Sequence, residues 1–363
     1  MKKRVVVCMS GGVDSSVAAA LLVEQGYDVI GVTLNVWPKN TPAEALERPD
    51  ACCSLSAVED ARRIAAQLAI PHYVLNVRDI FQRTVIDNFI AEYRRGRTPN
   101  PCVRCNEHIK FEAVLHRVHG MEVDYVATGH YVRLHRDAAT GRYVLRRAVD
   151  QQKDQSYVLS VLSQELLARS LFPLGELTKA EVRALARERG MLVANKPESQ
   201  DICFVAAGSY RDFLRRQEPA VATPGPILDR SGRLVGQHEG IAFYTIGQRK
   251  GLRIAADQPR YVIAIDAERH ALIVGDADDL LATTVEVEQF NLVALPALDG
   301  PVPVQAKARY RMPEEAATLE PGPEGRAIVR FARPQRALTP GQALTCYDGD
   351  VVVGGGTIAR IAA

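Results

Sequence analysis

Ser10-Gly11-Gly12-Val13-Asp14-Ser15-Ser16 stands between a short β-rich run, Arg4–Met9, and a helical pattern, Ser15–Gln25, that Gly26 stops. Two glycines let the backbone curl so that successive N–H groups face inward. The helix that follows adds its unsatisfied amides and positive dipole end. That geometry suits a phosphate or pyrophosphate. The Gly-x-x-x-x-Gly-Lys-Ser/Thr pattern of the kinase-like phosphate loop is absent, and no lysine stands in the stretch. The competing explanation is a glycine-rich turn in which Asp14 or Ser15 caps the helix. A carboxylate beside a pyrophosphate would repel it, so Asp14 either caps the helix or faces a Mg²⁺ ion. The sequence leaves both open.

Outward from the loop, strand and helix signals alternate. Asp28–Val36, His72–Val77 and Tyr125–Thr128 read as strands. Ser56–Leu68 reads as a helix opened by a Ser56/Glu59 capping box, with further helices at Ile80–Arg95 and Asn106–His119. This alternation predicts an α/β fold with a doubly wound parallel sheet and a ligand crevice at the strand C-termini. Tyr131–Arg136 and Arg142–Val149 look like an inserted hairpin, and helices return at Ser156–Arg169 and Lys179–Arg189. The texture changes near residue 205. Pro219–Gly236 is rich in Pro and Gly, Tyr261–Ile265 with Ala271–Val274 forms a hairpin pattern, and only short alternating runs follow Thr283. The expected domains are a nucleotide-binding catalytic domain at 1–205, a small central β-containing linking module at 206–280 and a C-terminal β-barrel at 281–363.

Length agrees, since 363 residues exceed one ordinary core. Apolar residues at 47% and charged residues at 24% exclude a wholly disordered chain. No apolar run approaches the ~18 residues of a membrane span. The strand-like run begins at Arg4, which leaves no room for a targeting peptide, and seven cysteines in so long a chain read as a reducing cytoplasm. A net charge of +2 names no partner, so a nucleic-acid site must be local. His130–Gln155 carries six Arg/Lys against three Asp/Glu, and Val302–Arg336 seven against four, which suits RNA phosphates or solvated surface equally.

Two polar segments hold cysteines. In Thr98-Pro99-Asn100-Pro101-Cys102-Val103-Arg104-Cys105-Asn106, the prolines suggest an extended loop before a helix starting near Asn106. Cys105 would then sit at a helix N-terminus, beside Arg104 and Lys110, where a thiolate is favoured. Glu198-Ser199-Gln200-Asp201-Ile202-Cys203-Phe204 holds a single cysteine among polar neighbours. The ordinary alternative for any cysteine is a small buried hydrophobe, which is the expectation for Cys52, Cys53 and Cys346. Trp37 reads as packing.

Taken together, the loop and these segments resemble the tRNA-specific 2-thiouridylases (the MnmA family) of the N-type ATP pyrophosphatase, or PP-loop, superfamily. The resemblance extends through Ala127-Thr128-Gly129-His130-Tyr131, Lys153-Asp154-Gln155-Ser156-Tyr157, Tyr244-Thr245-Ile246-Gly247-Gln248-Arg249-Lys250-Gly251, Ala308-Arg309-Tyr310-Arg311 and Pro340-Gly341-Gln342. It implies ATP-dependent 2-thiolation of the tRNA wobble uridine, with adenylation of the base, release of pyrophosphate and displacement of AMP by sulfur. By position, Cys8, Met9, Ser10, Gly11, Gly12, Val13, Asp14, Ser15, Leu34 and Gly129 would hold ATP. Cys105 would be the nucleophile and Cys203 the persulfide carrier, joined in a transient disulfide. Asn100, Pro101, Cys102, Lys153, Asp154, Gln155, Arg309 and Tyr310 would touch tRNA, with His130 and Gln342 near the target base. Mg²⁺ and a persulfide donor, such as a cysteine desulfurase or a sulfur-relay protein, are implied as well. Many members carry Asp where this chain has Cys102.

Three rivals remain on the sequence alone. One is another adenylating PP-loop ligase acting on a small molecule. A second is the same thiolation with an iron–sulfur cluster on Cys102, Cys105 and Cys203. The third is a tRNA-binding or sulfur-carrier module without catalysis.

Overall fold

The computed structural model describes residues 2–37, 55–197, 202–205, 209–255 and 257–362. Cys52, Cys53 and the polar lead-in at residues 198–201 lie outside the described residues. The chain forms two compact units. The first takes residues 1–85, 101–207 and 350–352.

In this unit the strands are β1 (Arg4–Cys8), β2 (Asp28–Asn35), β3 (His72–Asn76), β4 (Tyr125–Ala127), β5 (Val132–Arg136), β6 (Tyr143–Arg147) and β7 (Ser170–Leu171). The main sheet runs β3-β2-β1-β4-β7 with every neighbour parallel. Val5, Val6 and Val7 are fully buried, as a parallel strand covered on both faces requires. The order reverses direction at β1, so the C-terminal end of that strand is the topological switch point. The Ser10–Ser16 stretch begins two residues beyond β1.

Helix α1 (Val13–Glu24) buries Val17, Ala18 and Ala19 completely; its alanines let it lie close to the sheet and to a later helix, Lys179–Glu188. Helix α2 spans Leu55–Gln67, so Ser56 lies inside it rather than capping it. The helix expected from Asn106 starts earlier, with Pro101–Arg104, continues as the π-helical stretch Cys105–Ala113 and ends with Val114–Arg117. Proline suits a first helical position because it lacks only an N–H that would be unsatisfied there anyway. The expectation of an extended loop through Pro101 is therefore corrected: Cys102 occupies the first turn and Cys105 the start of the π-helical stretch.

The β5–β6 hairpin pairs antiparallel. Two of its basic residues are committed to one carboxylate, since Arg133 and Arg146 lie 2.8 and 3.4 Å from Asp350.

The second unit takes residues 86–100, 208–349 and 353–363. One sheet, ordered β10-β11-β8-β9, is built from β8 (Gly225–Asp229), β9 (Leu234–His238), β10 (Tyr261–Asp266) and β11 (Ala271–Gly275). The strands β12 (Leu281–Leu292), β13 (Val302–Lys307), β14 (Glu315–Pro321), β15 (Ala327–Arg336), β16 (Ala343–Asp348) and β17 (Val351–Ile361) follow the order β12-β15-β14-β13-β16-β17. β17 pairs back onto β12, closing a six-stranded barrel that leaves no free edge. Val285, Leu319, Val329, Leu344 and Cys346 fill it. Cys346 is fully buried, and burial pushes its thiol up, in keeping with a packing role. The architecture is the expected one: a doubly wound parallel-sheet domain, a central β-containing module and a C-terminal β-barrel.

Candidate active site

A cleft with about 890 Å³ of space, open solvent included, lies in the first unit at the end of β1. Cys8, Met9, Ser10, Asp14 and Ser15 line it from the loop, Leu34 from the end of β2, and Gly129 and His130 from just beyond β4, with Gln155. Val32, Val36 and Phe81 supply an apolar side. Cys105 and Cys203 both open into it.

The loop is held from within and from behind. The Ser10 amide donates to Ser15 Oγ at 3.1 Å, and the Ser15 and Ser16 hydroxyls donate to the Gly12 carbonyl at 3.2 and 2.9 Å. Thr33 Oγ1 donates to the Met9 carbonyl at 2.9 Å. Gly11 has φ +65°, and a Cβ there would come within 2.3 Å of the Ala57 carbonyl oxygen. A Cβ on Gly129 would approach the Asp14 and Ser15 backbone to 2.7 Å. Gly12 is the N-cap of α1 and no side chain caps that end, which leaves the first-turn amides to an anion.

Asp14 does not cap the helix. Its carboxylate accepts from Lys179 Nζ at 2.7 and 2.8 Å and from the Tyr131 hydroxyl at 2.7 Å. The Lys179 ammonium also lies 5.7 Å from the Tyr131 ring centroid. A second lysine, Lys196, donates to the Gly11 carbonyl at 3.1 Å and to Asp60 at 2.7 Å. The loop contains no lysine, yet two distant ones serve it. Sequence reading missed both, because nothing near either residue marks it.

At the end of β4, Lys110 Nζ lies 3.4 Å from His130 Nε2, and Thr128 Oγ1 lies 2.7 Å from Nδ1. An ammonium can only donate, so this network assigns the ring proton to Nδ1, which donates to Thr128. Burial, and then the Lys110 charge, hold the His130 imidazole well below its usual value, so it is neutral near pH 7. Burial pushes the Cys8 thiol up to about 12 against the pull of Lys110. Cys8 therefore stays protonated, and its S–H lies 3.6 Å from the Lys110 carbonyl. It is a wall of the cleft and not a nucleophile.

Residues 3–207 match the family described as tRNA methyl transferase HUP domain, 211–276 the tRNA methyl transferase PRC-barrel domain and 282–358 the aminomethyltransferase beta-barrel domain. The tRNA-specific 2-thiouridylase MnmA of Moorella thermoacetica is 54% identical over 356 residues, covering 98% of this chain and 99% of its own length. The chain belongs to the MnmA family. The MnmA of Heliobacterium modesticaldum is 52% identical over 99% of this chain and 93% of its own, and that of Acetivibrio thermocellus 48% over 98% and 99%.

The residues that the MnmA resemblance assigns to ATP gather at the cleft or in the loop that forms its floor. Those assigned to tRNA fall in four places. His130 and Gln155 line the cleft, and Gln155 Oε1 accepts from the Tyr131 amide at 3.0 Å. Asp154 is engaged locally, accepting from the Ala148 amide at 3.0 Å and the Ser156 hydroxyl at 2.6 Å, with half-buried Lys153 beside it. Pro101 is buried, whereas Cys102 is exposed and does not line the cleft. In the second unit, Gln342 Nε2 donates to the Thr98 carbonyl at 2.7 Å and so holds the segment leading into Asn100. Arg309 donates to the Ala337 carbonyl at 2.5 Å and also bonds Thr339, while Tyr310 is 43% exposed with Lys307 Nζ 5.7 Å from its ring centroid.

Among the described residues no three His, Cys, Asp or Glu side chains gather as a metal site, and Cys102 lies outside the lining that holds Cys105 and Cys203. The arrangement does not fit a three-cysteine cluster. Nor does it present Asp14 as a Mg²⁺ ligand, since both its oxygens face Lys179. No helix among the described residues is long and apolar enough to cross a membrane.

Proposed function

We propose that this chain catalyses ATP-dependent 2-thiolation of the wobble uridine in tRNA anticodons. The observation that carries the reading is the opening of Cys105 and Cys203 into the same cleft as the Ser10–Ser15 loop. Methyl transfer, named in two of the matched descriptions, gives no role to that loop or to two thiols.

The uracil 2-carbonyl is a poor electrophile until its oxygen attacks the α-phosphate of ATP, releasing pyrophosphate. The uncapped start of α1 and the loop backbone receive the departing anion, and Lys179 screens Asp14 from it. The apolar wall of Val32, Leu34 and Phe81 offers a face for the adenine. A persulfide on Cys203, charged beforehand by a persulfide donor protein, attacks C2 through its terminal sulfur. AMP leaves, and the base is linked through two sulfurs to Cys203. The Cys105 thiolate then attacks Cys203 Sγ, the sulfur–sulfur bond breaks and the 2-thiocarbonyl is released. This leaves a Cys105–Cys203 disulfide, which an external dithiol reduces. His130, neutral and fixed by Thr128 and Lys110, lines the site without adding charge. We assign 1–205, 206–280 and 281–363 as the catalytic, central and tRNA-binding domains, a division supported by the three matched spans.

The test is incubation of tRNA with enzyme, labelled ATP, Mg²⁺ and a persulfide source. 2-Thiouridine by nucleoside mass spectrometry, with AMP and pyrophosphate in equal amount, is expected. ADP and phosphate as products would refute the adenylation chemistry.

A further inference from the structure

The Tyr244–Gly251 motif has no part in the chemistry above, and it leads into a basic loop in the second unit. The loop is pinned to β10: the Gly247 amide donates to the Val262 carbonyl at 2.8 Å, and the Val262 amide to the Gln248 carbonyl at 3.0 Å. Leu252 is 4% exposed and anchors it, while Arg249, Lys250 and Arg253 stand outward. Arg253 adopts φ +52°, a left-handed conformation that a long side chain rarely takes, and its side chain is 82% exposed. Arg249, Arg253 and Arg260 surround a concavity of about 720 Å³, open solvent included.

The charges there do not balance. Arg253 and Arg215 share the single carboxylate of Glu239, at 3.0 and 2.7 Å, and Arg260 pairs with Asp276 at 2.8 Å. Among the described residues neither Arg249 nor Lys250 has an ion-pair partner, and Asp257 is the one carboxylate in the lining. The lining contains no aromatic residue, so it offers neither a stacking platform for a base nor the aromatic anchor common at protein interfaces. Guanidinium forks around an open polar concavity match phosphodiester oxygens.

We infer that Arg249, Lys250 and Arg253 form a docking site for the RNA phosphate backbone, which rests on the tRNA reading above and extends it to the central module. The contact positions the RNA and carries no base specificity.

The test is tRNA affinity as a function of KCl concentration for the full-length protein. Arg249→Ala/Lys250→Ala should weaken binding and reduce the log–log salt slope by about 1.4–1.8, the value for two lost phosphate contacts. Arg249→Lys should keep the wild-type slope. Arg233→Ala, which removes an exposed arginine of the same unit paired with Asp229, should leave the slope unchanged. Both alanine sites are exposed, and matching thermal unfolding checks the fold. A double variant with wild-type affinity and slope, while wild type thiolates tRNA, overturns the loop assignment alone. An equal effect of Arg233→Ala overturns it in favour of net charge. An unchanged slope with slower sulfur loading from a donor protein makes the loop an acidic-protein dock and overturns the RNA assignment. Wild type that neither binds nor thiolates tRNA overturns both readings.

Discussion

Replacing Lys179 with Met keeps most of the length of the side chain and removes its charge. Asp14 then loses two charge-assisted hydrogen bonds, at 2.7 and 2.8 Å, and retains only the Tyr131 hydroxyl. Breaking a fully buried ion pair from one side costs about 3–5 kcal/mol. The Lys179 side chain is 11% exposed but that of Asp14 is 30% exposed, so water recovers part of the loss and about 2 kcal/mol is the reasonable magnitude. For a unit of this size that lowers the melting temperature by about 4–8 °C. The carboxylate left behind also faces the incoming phosphates, so the KM for ATP should rise about tenfold, equivalent to about 1.4 kcal/mol. Lys179→Met/Asp14→Asn removes both charges and should recover most of each loss, giving a coupling of about 2 kcal/mol in the double-mutant cycle. The assays are thermal unfolding and initial rates of AMP formation against ATP concentration. If the double variant is as impaired as the sum of the singles, Lys179 acts on something other than Asp14 and the reasoning fails.

Cys105→Ser should abolish thiolation under single turnover while Cys102→Ala keeps substantial activity, because only Cys105 opens into the cleft; the reverse result would move the nucleophile to Cys102. Alkylation at about pH 8 should label exposed Cys102 and spare half-buried Cys8, whose thiol desolvation pushes up to about 12, with peptide mass mapping as the readout. His130 is held well below its ordinary value, so the unfolded chain binds a proton there that the folded chain refuses. Its contribution is complete above about pH 6.5 and is lost as pH falls toward the folded value, and His72 and His238 shift in the same direction. His130→Gln should therefore show a smaller fall in melting temperature than wild type between about pH 7.5 and 5; an equal fall would refute the assignment.

Local rules made much of this legible. The apolar run of β1, two glycines and the alternation that follows specify a switch-point loop, because burial on both faces and close backbone approach are short-range demands. The cysteines were visible as thiols in polar sequence, but their local setting was not. Pro99 and Pro101 suggest extended chain, whereas Pro101 begins a helix, and that moves Cys102 from a loop into a first turn. Lys179 and Lys196 were out of reach for another reason. Their partners are 165 and 185 positions away, and no periodicity encodes a contact of that range. Asp154 shows the converse: its bonds to Ala148 and Ser156 are local turn chemistry, within reach of sequence reasoning that followed the resemblance instead.

The two units are not consecutive stretches of chain. Residues 86–100 belong with the second unit, and 350–352 belong with the first. The polypeptide thus passes from one to the other five times, and no single cut separates them. A fragment ending near residue 207 would lack Asp350, the shared partner of Arg133 and Arg146. A fragment beginning there would lack Phe89 and Tyr93, which pack on Phe213 and Tyr210 at ring separations of 6.0 and 5.0 Å. Cut at residue 207, the first unit gives up a surface ion-pair partner and the second gives up aromatic packing.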